Sequence, residues 1–142
     1  MISGISRAVK LIAPDCAVYG VEPFGADSMY QSFAAGKAVS IPKVDTIADS
    51  LGSPIALPYS YEIARAHVDE IVRITDDEMM RAMVLLYDAL KIAAEPACAA
   101  ATAALIGPLK DRLVGKRIGM IACGSNIGEV KFGEMLKKGR QL

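Results

Sequence analysis

The sequence contains no tryptophan, one histidine and three cysteines, and its positive and negative charges cancel. With 16 Lys or Arg and 16 Asp or Glu residues, it lacks the basic excess that binds nucleic acid or an anionic membrane. His67 has no partner at metal-ligand spacing, which argues against a zinc site. Cys16, Cys98 and Cys123 are far apart and form no CxxC pair, a pattern typical of reduced thiols in a cytoplasmic protein.

Long apolar runs are also missing. No stretch reaches the roughly 18–20 apolar residues of a membrane span, and Arg7 and Lys10 interrupt the N-terminal stretch, unlike a signal peptide. What is present is a chain of 142 residues that is 53% hydrophobic and 23% charged. These values predict a single domain over residues 1–142 with a hydrophobic core, no membrane partner and a cytoplasmic location.

Periodicity and turn residues divide this chain into alternating elements. The expected helices cover residues 3–12, 27–36, 59–68, 76–92, 96–107 and 129–139, and the expected strands cover 17–22, 70–75 and 117–123, with a long ordered loop at 37–58. Thr75 and Glu78 form a capping-box pattern, and Met79, Met83, Leu86 and Leu90 form a core-facing stripe. The order predicts an α/β fold, a parallel sheet with helices on both faces.

Two predicted strand ends carry polar groups, at the edge where parallel sheets bind ligands. Glu22 ends the first strand, and with Asp27 and Glu95 it could hold a hard cation, although surface carboxylates are far commoner than cation sites. Cys123 ends the last strand, and its turn does not match the G-x-G-x-x-G dinucleotide pattern. A reactive thiol and a cysteine that simply packs both remain open for Cys123, with packing favoured.

Six segments, in order, carry a resemblance to a known family. They are "ISGIS", "VYGVEPFGADSMYQS", "TIADSL", "ITDDEM", "AAEPACAAATAAL" and "IACGSNI". In this order they resemble threonine dehydratases and serine racemases, pyridoxal-phosphate enzymes of fold type II related to the tryptophan synthase β-subunit. The resemblance covers essentially the whole chain but only the C-terminal part of such an enzyme, and implies part of its large, cofactor-binding domain.

The resemblance implies residues that bind the cofactor. Met1 and Ile2 resemble the positions just after a glycine loop that cradles the phosphate, which would lie against the start of helix 3–12. Cys123 stands where the family has a serine facing the pyridine nitrogen, and a thiol is the weaker hydrogen-bonding partner. Gly124 and Glu95 complete the implied cofactor contacts.

Further sites follow from the same resemblance. Ala48 and Asp49 resemble a loop that lines the substrate pocket. Glu22, the carbonyl of Ala26 and the position of Ser28 resemble a site for a divalent or monovalent cation, although the family has an aspartate at the last position. Lys91 and Asn126 match positions that touch an activating nucleotide in racemases.

The family's lysine that bonds the cofactor, and its loop that grips the substrate carboxylate, have no counterpart motif in this sequence. The resemblance therefore implies no catalytic residue in this chain and no activity of the chain alone. One hypothesis is the C-terminal portion of a threonine or serine ammonia-lyase acting on a 3-hydroxy amino acid. Alternatives are a serine racemase-type activity in a full-length enzyme and a non-catalytic binding module. The expected partners are a second copy or the N-terminal part of such an enzyme.

Overall fold

A computed structural model describes residues 1–142 and contains six α-helices and two β-strands. In chain order these are α1 (Ile2–Ile12), β1 (Tyr19–Pro23), α2 (Ser28–Ala35), α3 (Pro58–His67), β2 (Glu70–Ile74), α4 (Asp76–Leu90), α5 (Pro96–Ile106) and α6 (Glu129–Gly139). Short 3-10 turns occupy Asp49–Leu51 and Asp111–Leu113. None of the helices combines the length and hydrophobicity needed to cross a bilayer.

The two strands pair in parallel, and their register runs from Tyr19 opposite Glu70 to Pro23 opposite Ile74. Because side chains alternate across a strand, β2 serves two cores. Ile71 packs with a smaller cluster contributed by residues of α1, α2 and α3, whereas Val72 and Ile74 belong to the main core with α4 and α5. The predicted α/β fold, with helices on both faces of a parallel sheet, is confirmed.

The predicted strand at 117–123 is wrong. Residues 117–128 have no regular secondary structure, and the sheet has two strands rather than three. Ile118, Met120 and Ile121 are 46%, 39% and 49% exposed. The apolar pattern of this segment is strand-like, but a strand exists only where a neighbour accepts its backbone hydrogen bonds, and no such neighbour lies beside it.

Helix α5 is the most apolar element, and its predicted burial is confirmed. Ala99 and Ala103 have no exposed surface, and Ala100 and Ala104 are almost as buried. These small side chains pack against α4 and both strands, and Pro96 begins the helix at the position where its missing N–H costs nothing. The hydrophobic core therefore forms around a helix with almost no large side chains.

Helix α4 follows the sequence pattern closely. Thr75 Oγ1 accepts from the Glu78 amide, and Glu78 Oε2 accepts from the Thr75 amide, so the predicted capping box is present. Met79, Met83 and Leu86 are buried as expected. Leu90 is 61% exposed, against the prediction, because it is the last residue of a helix that ends there through a left-handed residue, Lys91.

Asp69 ties α1 to the sheet. One carboxylate oxygen accepts from Lys10 Nζ at 2.8 Å on α1 and from the Val18 amide at 2.7 Å, just before β1. The hydrogen bond from Lys10, followed by that from Val18, holds the pKa of Asp69 below its ordinary value of 3.8. This carboxylate therefore helps to fix the orientation of α1 relative to the strands.

We predict that the Asp69→Asn variant loses less than about 1 kcal/mol of unfolding free energy at neutral pH, because a half-exposed ion pair is screened by water. The folded-state pKa lies below the unfolded value, so the wild-type advantage is complete above the unfolded pKa and disappears as pH falls through the folded pKa. Urea unfolding from pH 7 to pH 2 measures this. Asp15→Asn, at an exposed residue outside any ion pair, is the control; an advantage that persists at the lowest pH would contradict the assignment.

Candidate functional site

The start of α5 and the turn at Cys123 and Gly124 meet in the structure. The Glu95 amide, at the N-cap of α5, donates to the Gly124 carbonyl at 3.2 Å. Gly124 has φ +109°, a conformation that disfavours any side chain, and a Cβ there would stand 2.5 Å from Glu95 Oε1. The glycine therefore permits both the turn and its close approach to Glu95.

The N-terminus of α1 reaches the same turn. The Cys123 thiol lies 3.9 Å from the Met1 thioether sulfur, although 122 residues separate them. Met1 is the N-cap of α1 and makes no side-chain cap, so the first-turn amides have no acceptor within the helix. No atom outside the helix's own backbone lies within 4 Å of a Cβ at Gly4. Open space therefore surrounds this part of the first turn of α1.

The loop before the first 3-10 turn supplies the third side of the site. Asp76, the first residue of α4, accepts from Thr46 Oγ1 at 2.7 Å and from the Ile47 amide at 3.1 Å. Ser50 Oγ then donates to Glu95 Oε1 at 3.2 Å. Asp76 and Glu95 thus hold the predicted substrate loop at both ends, with Ala48 buried between them.

A pocket of about 130 Å³ opens between this loop and the α5–turn contact. Its polar lining includes Asp49, Ser50, Glu95, Asn126 and Lys131, and Lys131 Nζ lies 3.6 Å from Asp49 Oδ2. The polar lining of this pocket thus carries carboxylates and one ammonium group side by side.

The two residues of the predicted nucleotide site, Lys91 and Asn126, occupy different structural positions. Asn126 lines the pocket, whereas Lys91 does not. Lys91 is the left-handed residue that ends α4, and its Nζ stands 5.6 Å from the centre of the Tyr87 ring. A nucleotide contact of these residues stays a prediction.

The three predicted cation ligands share the turn between β1 and α2. Glu22 accepts from the Met29 amide at 3.1 Å and the Tyr30 amide at 2.7 Å, so its carboxylate caps α2. Burial raises the pKa of Glu22, and these amides lower it by a smaller amount. Ala26 and Ser28 are buried beside it, and a cation there stays a prediction.

Asp27 lies on the same turn but is engaged elsewhere. Its Oδ2 accepts from Arg73 at 3.1 Å, and its Oδ1 accepts from the Gln31 side chain at 2.7 Å. The Arg73 guanidinium also stacks on the Tyr30 and Phe24 rings. No group of three or more His, Cys, Asp or Glu side chains is arranged to hold a metal ion.

The structure therefore brings together most of the residues predicted from the sequence for the cofactor and the substrate loop. These are Met1, Ala48, Asp49, Glu95, Cys123 and Gly124. The side chain of Ile2, the next residue after Met1, packs instead against the smaller hydrophobic cluster that contains Ile71. Sequence reasoning missed three contributors: Ser50, Asp76 and Lys131. Asp76 directly follows Thr75 of the capping box. An acidic residue in the first turn of a helix is already expected from the helix dipole, so nothing in the local sequence indicated that Asp76 also binds the loop at Thr46 and Ile47.

A family model described as "Pyridoxal-phosphate dependent enzyme" matches residues 1–124. Among curated proteins, a phenylserine dehydratase of Ralstonia pickettii is 51% identical over 139 residues, covering 98% of this chain and 43% of that protein. An L-threo-3-hydroxyaspartate ammonia-lyase of Saccharomyces cerevisiae is 33% identical over 137 residues, covering 96% of this chain and 41% of that enzyme. The chain thus spans about two fifths of these relatives.

Solved structures give the same picture. The processed form of threonine deaminase isoform 2 from Solanum lycopersicum superposes with a TM-score of 0.90 at 28% identity, covering 96% of this chain and 40% of that chain. Maize serine racemase superposes with a TM-score of 0.85 at 33% identity, covering 96% of this chain and 43% of that chain. The architecture described above therefore corresponds to about two fifths of each of these longer chains.

We predict that Gly124→Ala loosens the turn, because the new Cβ meets Glu95 Oε1 and φ is unfavourable. Gly115→Ala is the matched control, since Gly115 has φ +75° but nothing within 4 Å of its Cβ. The control should lose roughly 1–2 kcal/mol of unfolding free energy from φ alone, and Gly124→Ala should lose more. Cys123 should also be alkylated faster in Gly124→Ala only. Equal losses and unchanged alkylation would show that Glu95 does not restrain the turn.

Proposed function

Because the chain belongs to the family of pyridoxal-phosphate-dependent enzymes, we propose that it forms the C-terminal part of an ammonia-lyase acting on a 3-hydroxy amino acid. The observation that supports this most is the meeting of Met1, Cys123, Gly124 and Glu95 beside the loop at Ala48–Ser50. The relatives' names support the substrate class, since phenylserine, 3-hydroxyaspartate and serine all carry a 3-hydroxyl group.

The polar groups around this point fit pyridoxal phosphate. The unpaired first-turn amides of α1 are donors for a phosphate dianion, and the open space at Gly4 leaves room for it. Cys123 provides an exposed thiol beside the same helix end. When bound, pyridoxal phosphate supplies the electron sink that makes the α-proton of an amino acid acidic.

Each residue of the chain then has a distinct task. The α1 amides would hold the phosphate, and Cys123 would offer the ring nitrogen a neutral, weak donor that leaves it without a full positive charge. Such a donor tempers the electron sink and suits the loss of the 3-hydroxyl group. Glu95 positions the turn through Gly124 and the substrate loop through Ser50. Asp49, which pairs with Lys131, would border the substrate.

Threonine and serine are the substrates expected from the sequence motifs, and phenylserine is supported by the 51% identity to a phenylserine dehydratase. Serine racemases are 33–36% identical over 131 residues or more and support a racemase as the second candidate. The two activities differ in whether the 3-hydroxyl group is lost, so product analysis separates them.

We also propose that the chain associates with the N-terminal part of such an enzyme or with a second copy. The half-exposed apolar residues Ile118, Met120 and Ile121 lie on an extended segment whose backbone is unpaired, which favours docking of another chain segment. The two-fifths coverage of the relatives supports an N-terminal complement as the occupant.

The decisive experiment is a chimera in which this chain replaces the matching 139 residues of the phenylserine dehydratase. We predict that the chimera forms a 2-oxo acid from phenylserine, threonine or serine, and that the chain alone does not. We further expect no borohydride-trapped adduct between the isolated chain and pyridoxal phosphate. A stoichiometric adduct on one lysine would contradict the expected inactivity of the chain alone, and a folded chimera without 2-oxo acid formation would contradict the proposed lyase.

The Cys123 assignment has its own test in the chimera. We predict that Cys123→Ser keeps or raises 2-oxo acid formation, changing the rate by roughly tenfold or less, since one such hydrogen bond contributes about 0.5–1.5 kcal/mol. Cys123→Asp should lower it, because a carboxylate would hold the ring nitrogen protonated and shift the partitioning of the reaction. If Cys123 were instead a nucleophile, Ser would lower the rate by about a thousandfold or more. The two substitutions, compared at one pH with folding verified, decide between these roles.

A further inference from the structure

Two contacts align the segment 120–124 along one side of α5. Thr102 lies four residues after Cys98 on α5, and its Oγ1 is 3.4 Å from the Met120 sulfur. At the other end, the Glu95 amide donates to the Gly124 carbonyl. Residues four apart share one face of a helix, so Cys98 lies on the face of α5 that Thr102 turns toward this segment.

The spacing between these contacts places Cys98 level with Cys123. Along the helix, Cys98 is three residues from Glu95, about 4.5 Å at 1.5 Å per residue. Along the extended segment, Cys123 is one residue from Gly124, about 3.3 Å. By this count the two cysteines lie at a similar height along α5. Burial raises the pKa of Cys98 most, and the nearby Cys123 and then Glu95 raise it further.

The two thiols differ in access. Cys123 is exposed and Cys98 is 5% exposed. The segment that carries Cys123 has no regular secondary structure, and the adjacent Gly124 tolerates unusual backbone angles, so small adjustments toward disulfide geometry are available. Cys16, the third thiol, follows α1 and is held by the Lys10 contact to its carbonyl, remote in sequence and in element from this pair.

We propose that Cys98 and Cys123 form an intramolecular disulfide when a peroxide oxidises the chain, a redox switch at the cofactor turn. The Cys123 thiolate attacks one oxygen of hydrogen peroxide, the O–O bond breaks, and the departing hydroxide takes a proton, which gives a sulfenic acid and the first water. The Cys98 thiolate then attacks that sulfur; the S–S bond forms as the S–O bond breaks, and the departing hydroxide takes a proton to give the second water. Two thiols are oxidised and one peroxide is reduced.

The consequence for the site rests on the proposed function. A Cys123 sulfur bonded to Cys98 has no hydrogen left to donate to the pyridine nitrogen. The switch would weaken pyridoxal phosphate binding by roughly threefold to tenfold, the effect of losing one hydrogen bond of this kind. Reduction of the disulfide restores the thiol and the original affinity.

The experiment uses the chain without cofactor. It is treated with hydrogen peroxide, its free thiols are alkylated, and it is cleaved after Lys and Arg. We expect peptide 92–110 cross-linked to peptide 118–131, with the loss of two hydrogen atoms, reversal by dithiothreitol, and Cys16 alkylated in peptide 11–37. Cys16→Ser should keep the cross-link, whereas Cys98→Ala should abolish it and leave Cys123 to oxidise further.

Overoxidised Cys123 with Cys98 still free in the wild-type chain would overturn the proposal, as would a link to Cys16 or between two chains. Equilibrium dialysis of pyridoxal phosphate against reduced, oxidised and re-reduced chain then tests the consequence. A reduced chain that binds no pyridoxal phosphate would count against the proposed function while leaving the measured cross-link standing. Unchanged binding after complete cross-linking would overturn the switch.

Discussion

The close packing of α5 against the sheet and α4 is the constraint on which the rest of the structure depends. Ala99 and Ala103 have no exposed surface, and this alanine-rich face lets the helix axis approach both strands. Interiors are packed so densely that one added methylene on this face would displace the helix. Because α5 begins at Pro96, any displacement would move Glu95 and with it the contacts to Gly124 and Ser50. Core packing therefore sets the geometry of the candidate site.

Two carboxylates connect the packed helices to the loop that has no regular secondary structure. Asp76 begins α4 and accepts two hydrogen bonds from the loop at Thr46 and Ile47, while Glu95 precedes α5 and holds Ser50. Both sit at helix N-termini, where the macrodipole favours their negative charge. The loop between them thus needs no regular secondary structure of its own to keep a defined conformation. A substrate loop held in this way is positioned by the core but remains open to a ligand.

Local patterns in the sequence predicted much of the fold. The Thr75–Glu78 capping box and the Met79, Met83 and Leu86 stripe both follow from neighbours a few residues apart. The pairing of Asp76 with Thr46 and of Lys131 with Asp49 joins residues 30 and 82 positions apart, and neither leaves a local trace. The resemblance to a family indicated that Cys123, Gly124 and Glu95 belong to one site. Hydrophobic periodicity alone gave no function for the turn at Cys123 and Gly124.

The segment 117–123 shows why a strand pattern is not a strand. Its apolar residues are those that strands favour, but backbone pairing requires a neighbour, and the β1–β2 sheet does not supply one. Ile118 and Ile121 consequently stand about half exposed. The same segment continues into Cys123 and the Gly124 turn, so a partner that paired with it would fix the turn from the side opposite α5. The proposed association and the proposed cofactor site are therefore linked, because the exposed segment 117–123 that would bind a partner also carries Cys123 and leads into the Gly124 turn.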